Sequence, residues 1–201
     1  MKDSLISLIA QQDLHTISVV KLAEMSNINR CTFYVHYKDV ADLVNHLEQE
    51  VYDAFKQIVY KNIDNLHEGE YFKPIFEVAT YIKGNRAFIK AISSKNGDPN
   101  FTIKVKEVLT KLADYYAIRA TLDIPNNTVR EAYVSFMISG GIGVFEDWIQ
   151  NDCASPADVM INSLIELFSK DKKWRLKLFS LRFFISSYIL NHISILYLYI
   201  Y

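Results

Sequence analysis

Apolar residues recur at three- and four-residue steps along almost the whole 201-residue chain, and strict apolar/polar alternation is rare before the C-terminal tail. That spacing is the period of an α-helix, so the pattern predicts an all-α protein. Leu5, Leu8 and Ile9 mark a first helix. Ser18 caps a second, VVKLAEM, with Val19, Leu22 and Ala23 on one side. Asn27 is a turn residue that tolerates left-handed backbone, and Asn29 caps a third helix ending near His36. Asp39 followed by Asp42 resembles a capping box; it opens a long helix whose apolar positions, Val40, Leu43, Val44, Leu47, Val51, Phe55 and Ile58, keep phase to about residue 65. Further helices are predicted over 72–84, 86–95 and 99–121. Thr128 and Glu131 have the capping-box spacing for a helix lasting to about Asn151. Ser155-Pro156-Ala157-Asp158 joins a cap, a first-turn proline and an acid at the positive end of the dipole, and predicts a last helix reaching at least Lys170.

Repeats and low-complexity linkers are absent. The domain boundary expected from these elements lies near residue 45, between a compact three-helix unit (1–45) and a larger helical domain (46–170). The remainder, 171–201, differs in kind. Lys170, Lys172, Lys173, Arg175, Lys177 and Arg182 cluster with Asp171 as the sole acid, and FFISSYILNHISILYLYIY then carries no formal charge. Its length approaches the roughly 20 residues of a membrane helix. Three readings stay open: an anchor, a structural extension, or an addition outside the evolved fold, since its composition is what an out-of-frame stretch of an AT-rich gene would encode.

Composition adds limits. Half the residues are apolar, so a core is available, and the formal charge of −1 gives no overall pull toward nucleic acid. Cys31 and Cys153 are too few for a disulfide framework and match no metal-ligand spacing, which points to a reducing cytoplasm. The N-terminal run MKDSLISLIAQQDL is too short and too broken for a signal peptide. No nucleophile, base and orienting acid are grouped at meaningful spacing, so neither an enzyme nor a cofactor is expected.

The densest chemistry is INRCTFYVHYKD, residues 28–39. VVKLAEM, SNI and NRCTFYVH follow one another as two short helices and a tight turn, the helix-turn-helix arrangement that offers its second helix to a DNA major groove. On a helical wheel Ile28 and Phe33 point inward, while Arg30, Cys31, Tyr34 and Val35 point away. Arg30 can give two hydrogen bonds to guanine O6 and N7. Thr32 and the Tyr34 hydroxyl can reach phosphate oxygens, and Lys38 stands beside a helix start whose N–H groups favour a phosphate.

The run ISVVKLAEMSNINRCTFYVHYKDVADL resembles the DNA-binding signature of the tetracycline-repressor (TetR/AcrR) family of bacterial regulators, most closely the branch common in Firmicutes. The T-F-Y-x-H-Y-K-D match lies at the right distance behind Leu22-Ala23. Later, GIGVFEDWIQND before the last helix is similar to a second family feature. The resemblance implies a homodimeric transcription factor. Its N-terminal domain would bind double-stranded DNA at a palindromic operator; its C-terminal domain would bind a small-molecule effector and dimerise through the last two helices of residues 128–170. Carried over by position, Arg30, Cys31 and Val35 fall where base readers lie. Thr32, Tyr34, His36, Tyr37 and Lys38 fall at phosphate-contacting or supporting positions. Val40 stands where members commonly carry lysine, which implies one phosphate contact fewer, and Asn27 replaces the usual turn glycine. The sequence also lacks the further, often basic, residues common ahead of the first helix.

Between residues 19 and 46, Lys21, Arg30 and Lys38 are balanced by Glu24, Asp39 and Asp42. Because log affinity falls with log salt by roughly 0.9 per phosphate contact, a shallow salt slope is expected. The same neutrality leaves a second reading open, a helical dimeric interaction or coactivator module with weakened DNA binding. His46 and Glu50, spaced i,i+4, have no third ligand and read as solvated helix surface. GGIG at 140–143 lacks the lysine of a phosphate loop. With Ser139, its Gly140 and Gly143 instead form a small face for a neighbouring helix, from a second chain or from this one. Tyr81, Phe88, Tyr115, Tyr116, Phe136 and Met137 are candidates to line an effector cavity, though each is also ordinary core material.

Overall fold

The computed structural model describes residues 1–68, 70–115 and 126–168. Every regular element among them is helical. The helices are α1 (Lys2–Ile9), α2 (Val19–Met25), α3 (Arg30–His36), α4 (Val40–Lys61), α5 (Ile63–Glu68), α6 (Phe72–Gly84), α7 (Arg86–Ile92), α8 (Phe101–Tyr115), α9 (Asn127–Gln150) and α10 (Ala157–Phe168), with one 3₁₀ turn at Leu14–Thr16. Met1–Ile165 pack as one compact unit. The tail and Tyr116 lie outside the described residues, as do the expected extensions of α8 to 121 and of α10 to Lys170.

Local chemistry explains most boundaries. Ser18 Oγ accepts the Lys21 N–H at 3.2 Å, Asn29 Oδ1 the Cys31 N–H at 2.8 Å, and Asp39 Oδ1 the Asp42 N–H at 2.8 Å. These side chains supply acceptors for N–H groups that a helix start leaves unpaired. The start of α9 departs from expectation: Asn126, not Thr128, is the cap, and accepts the Val129 N–H at 3.1 Å. The long helix also ends earlier than its periodicity suggested. At its end Asn62 is fully buried, donating to Ile58 O at 2.9 Å and to Glu77 Oε2 of α6 at 3.1 Å. Downstream, Asp98 Oδ1 takes the Asn100 N–H at 2.8 Å, and α8 begins at Phe101 rather than 99.

The core runs continuously through α1–α4 and on into α6–α10, from Leu5, Leu22 and Phe33 to Phe88, Ile92, Trp148 and Ile161. Along α4 the rings of Tyr52 and Phe55 meet Phe101 of α8 and Tyr81 of α6, with centroids 6.0 and 5.9 Å apart. One charged cluster is built into this interior. Lys104 Nζ of α8 lies 2.9 Å from Glu48 Oε2 of α4 and 3.0 Å from Asp98 Oδ2, and the Tyr52 hydroxyl donates to Glu48 Oε2 at 3.1 Å. Burial pushes the Glu48 carboxyl above the usual range despite the Lys104 contact. Burial also pushes on Asp98, but the Asn100 N–H and Lys104 outweigh it and hold that carboxyl below the usual range.

Candidate nucleic-acid interface

The second helix of the predicted motif is placed by its turn. Asn27 takes φ 53°, the left-handed conformation expected of it, while its own N–H bonds Glu24 O at 3.1 Å and the Ile28 N–H bonds Ala23 O at 3.0 Å. This reverses the chain within three residues and aims α3 away from α2. Phe33 is the only fully buried side chain of α3. The Tyr34 ring stands edge-on to it and the Tyr37 ring tilts against it, both with centroids at 5.7 Å. Tyr37, half-buried, also meets His46 of α4 edge-on at 5.8 Å, so one aromatic chain fixes the angle between the two helices.

With Phe33 inward, helical geometry assigns the rest of α3. Residues advance about 100° each, so Cys31 and Val35 lie opposite Phe33, with Arg30 and Tyr34 on one flank and Thr32 and His36 on the other. All six are exposed, Tyr34 to 58 % and Val35 to 77 %. Lys38 is exposed at the α4 start. Of the eight residues singled out in the sequence, seven are therefore on the surface and Tyr37 supports them from behind. An exposed ridge that carries an arginine and a tyrosine on one shoulder has a form that could enter a groove between phosphate ridges.

One expectation changes here. The start of α4 is less open to a phosphate than its N–H groups suggested, because Asp42 Oδ2 accepts the Lys38 N–H at 2.9 Å while Asp39 takes the Asp42 N–H. Anion attraction at this corner falls to the Lys38 side chain, with two carboxylates close by. Val40, at the position of the missing lysine, is buried in the core. His46 lies 3.7 Å from Glu50 Oε1, and no group of three metal-ligating side chains occurs among the described residues.

The candidate effector residues are dispersed. Phe88 is fully buried where α7 packs on α1, with the Lys2 ammonium 5.0 Å from its ring centroid. Tyr81 is half-buried against α4, its hydroxyl 3.5 Å from Glu50 O. Tyr115 and Phe136 are largely exposed, and Met137 is half-buried. Sequence reasoning missed the residues that hold the helix-turn-helix unit onto the rest of the chain, above all Asn96. Asn96 Nδ2 donates to Ile9 O at 3.1 Å, and its carbonyl accepts the Leu14 N–H at 2.8 Å. The available signal was the polar, turn-forming run SSKNGD at 93–98. Its partners are more than eighty residues away and leave no local trace.

Comparison with known proteins bears on the whole arrangement. The uncharacterized HTH-type transcriptional regulator YxbF of Bacillus subtilis (strain 168) is 18% identical over 180 residues, 86% of this chain and 44% of that protein. The chain thus spans less than half the length of that relative. Among solved structures, the fatty acid degradation regulator FadR from Bacillus halodurans superposes with a TM-score of 0.65 at 14% identity, covering 85% of this chain and 93% of that one. The dihydroxyacetone kinase operon activator DhaS gives a TM-score of 0.55 at 15% identity, covering 83% and 90%. At such identities these two likenesses speak for a shared helical fold. No helix among the described residues is long and apolar enough to cross a membrane. Residues 70–170 match a TetR family model described as a transcriptional regulator C-terminal region, which is half of the chain. With the helix-turn-helix in front of that region, the chain belongs to the TetR family of transcriptional regulators.

Proposed function

We propose that the chain acts as a homodimer that binds a palindromic operator in cytoplasmic DNA and represses transcription until an effector enters the domain of residues 46–170. The observation that carries this reading is the α3 surface, where the exposed motif residues surround a single inward Phe33. The dimer is supported by α9, whose apolar residues are not gathered on one face and of which only Val134, Trp148 and Ile149 are buried within one chain. Val129 of α9 and Val159 of α10 are more than half exposed, and a Cβ added at Gly141 or Gly143 would find nothing within 4 Å beyond its own stretch of helix. A second copy would cover such a face, as interfaces are apolar at their centres. Two recognition helices would then need to sit about 34–36 Å apart to enter successive major grooves, and an effector that alters that spacing would release the DNA.

A gel shift with the DNA upstream of the protein's own gene tests the reading. Arg30→Ala and Tyr34→Ala should each weaken a specific shift by about ten- to hundredfold, as expected for loss of a base contact or a well-placed phosphate contact. The salt slope should be shallow, because the cations of residues 19–46 are matched by acids. The second reading, an interaction or coactivator module, draws on the same neutral surface and on a structural neighbour named as an operon activator. Absence of any shift at low salt would favour it.

A further inference from the structure

α7 is seven residues long, yet it touches both ends of the molecule's working parts. Its inner face, Phe88, Ile89 and Ile92, is buried with Leu5, Leu8 and Ile9 of α1, to which the helix-turn-helix is fused. Polar contacts grip α1 at both ends. At the start, Lys2 Nζ donates to Asn85 Oδ1 at 3.4 Å; at the end, Asn96 holds Ile9 O and the Leu14 N–H. Asn96 is itself rigidly placed. The Asp98 N–H bonds Ile92 O at 2.9 Å and the Gly97 N–H bonds Ser94 O at 2.9 Å, folding the loop back onto the end of α7.

The other face of α7 points to the opposite partner. Arg86 and Lys90, one helical turn apart, reach the α9–α10 turn. Arg86 Nη1 donates to Asp152 O at 3.0 Å, and Lys90 Nζ to Gln150 O at 3.0 Å and Asp152 Oδ1 at 2.9 Å. The Lys90 ammonium also sits at the negative end of the α9 dipole. That turn is stiff: Asp152 and Cys153 both have positive φ (56° and 53°), and Trp148 Nε1 donates across it to Ser155 O at 2.9 Å.

We propose that α7 is a connector that, alongside the continuous helix α4, fixes the DNA-reading unit at a set distance and angle from the α9–α10 face, with Asn96 the positioning residue at one end and Arg86 and Lys90 at the other. These residues touch no DNA; they act through α1 and through the α9–α10 turn. The functional consequence rests on the dimeric, operator-binding reading. If α9 and α10 set the dimer axis, α7 sets the half-site spacing. One base pair changes that spacing by about 3.4 Å and about 35° of rotation, more than a rigid two-ended grip permits.

Two measurements on the chain of 201 residues test this. A nitroxide on exposed Cys31 and another on Asp147→Cys, on the exposed side of α9, report the distance from reading helix to α9 by double electron–electron resonance. Spin-labelled chains are diluted with unlabelled ones so that only the distance within one chain is read; buried Cys153 remains unlabelled. The wild type should give one narrow distribution, broadened by Asn96→Ala and by the Arg86→Ala/Lys90→Ala pair but not by Lys56→Ala, a surface control on α4. Duplexes selected by the wild type from a random pool are then remade with the centre one base pair shorter or longer. The wild type should lose at least about tenfold on both, whereas the connector variants should bind the best site several-fold more weakly and discriminate little between spacings. Unchanged distance distributions, or an equal affinity loss on every spacing, would overturn the proposal. Broadened distributions in a protein that selects no DNA would uphold the connector and reject operator binding.

Discussion

Replacing Lys104 with methionine keeps the bulk of the stem but deletes the ammonium that lies 2.9 Å from Glu48 and 3.0 Å from Asp98. Glu48 is the sensitive partner, with its side chain 1 % exposed and Oε1 without a hydrogen-bond donor. Breaking a fully buried pair costs about 3–5 kcal/mol because the surviving charge is stranded. Lys104 is 38 % exposed, so water already screens one side, and a loss of about 2–3 kcal/mol at pH 7 is the better expectation. The chain has one escape, which is to protonate Glu48. That costs about 1.4 kcal/mol for each pH unit above the ordinary glutamate value of about 4.3. The escape caps the penalty at about 3.7 kcal/mol at pH 7 and about 1 kcal/mol at pH 5.

The sign follows from the same linkage. Burial has raised Glu48 in the folded chain, so above the ordinary value the native state holds the proton longer than the unfolded state does. Stability contributed by this group is complete below the ordinary value and falls as pH rises through the folded one. Without Lys104 the folded value climbs and the falling limb extends toward neutrality. Asp98, held low, works oppositely and only in acid, losing its contribution as pH falls through its folded value. Thermal unfolding at equal protein concentration, at pH 5 and pH 7, provides the assay. Lys104→Met should lower Tm by about 5–10 °C at pH 7 and by much less at pH 5, and Glu48→Gln added to it should restore most of the difference. Equal losses at the two pH values, or no rescue by Glu48→Gln, would refute the argument that a stranded Glu48 charge is the cause.

Two further substitutions probe the backbone. Asn27→Gly places a residue without a Cβ at φ 53° and should stabilise the chain by about 0.5 kcal/mol in urea unfolding; a destabilised variant would mean that the Asn27 side chain contributes more than its backbone conformation costs. Gly97→Ala would put a Cβ 2.0 Å from Ile92 O, a backbone atom that cannot yield, so the 93–98 loop must shift at a cost of about 1–3 kcal/mol. Hydrogen exchange at the Leu14 amide, held by Asn96, should accelerate in that variant; unchanged exchange would show that the loop absorbs the methyl without releasing its grip.

What the sequence made legible was whatever is decided within about one helical turn. The caps at Ser18, Asn29 and Asp39, the left-handed Asn27 and the inward Phe33 each depend on neighbours two to five residues away, and each is where the pattern placed it. The α9 cap was misread by two positions because the DIPNN run offers asparagines as well as the capping-box threonine, and the carboxamide of Asn126 has the reach. The end of α4 was misread because buried Asn62 is held by Glu77, fifteen residues on, which periodicity does not register. The same limit hid Asn96, Lys104 and the pair Arg86 and Lys90. Their partners lie far along the chain, and a lone polar residue at a helix edge has no local mark distinguishing a tether from a solvated side chain.

The brevity of α3 carries a last consequence. At seven residues, with one inward aromatic, it is too short to persist alone in water, where helices below about 12–15 residues are marginal. A synthetic peptide copying residues 28–39 should therefore be a coil, and moving its letters into an unrelated host would transfer the alphabet without the shape. Under the proposed operator reading, specificity would be portable only together with the hydrophobic socket that receives Phe33, so swapping target preference between relatives would call for exchanging the whole N-terminal bundle rather than a few surface codons.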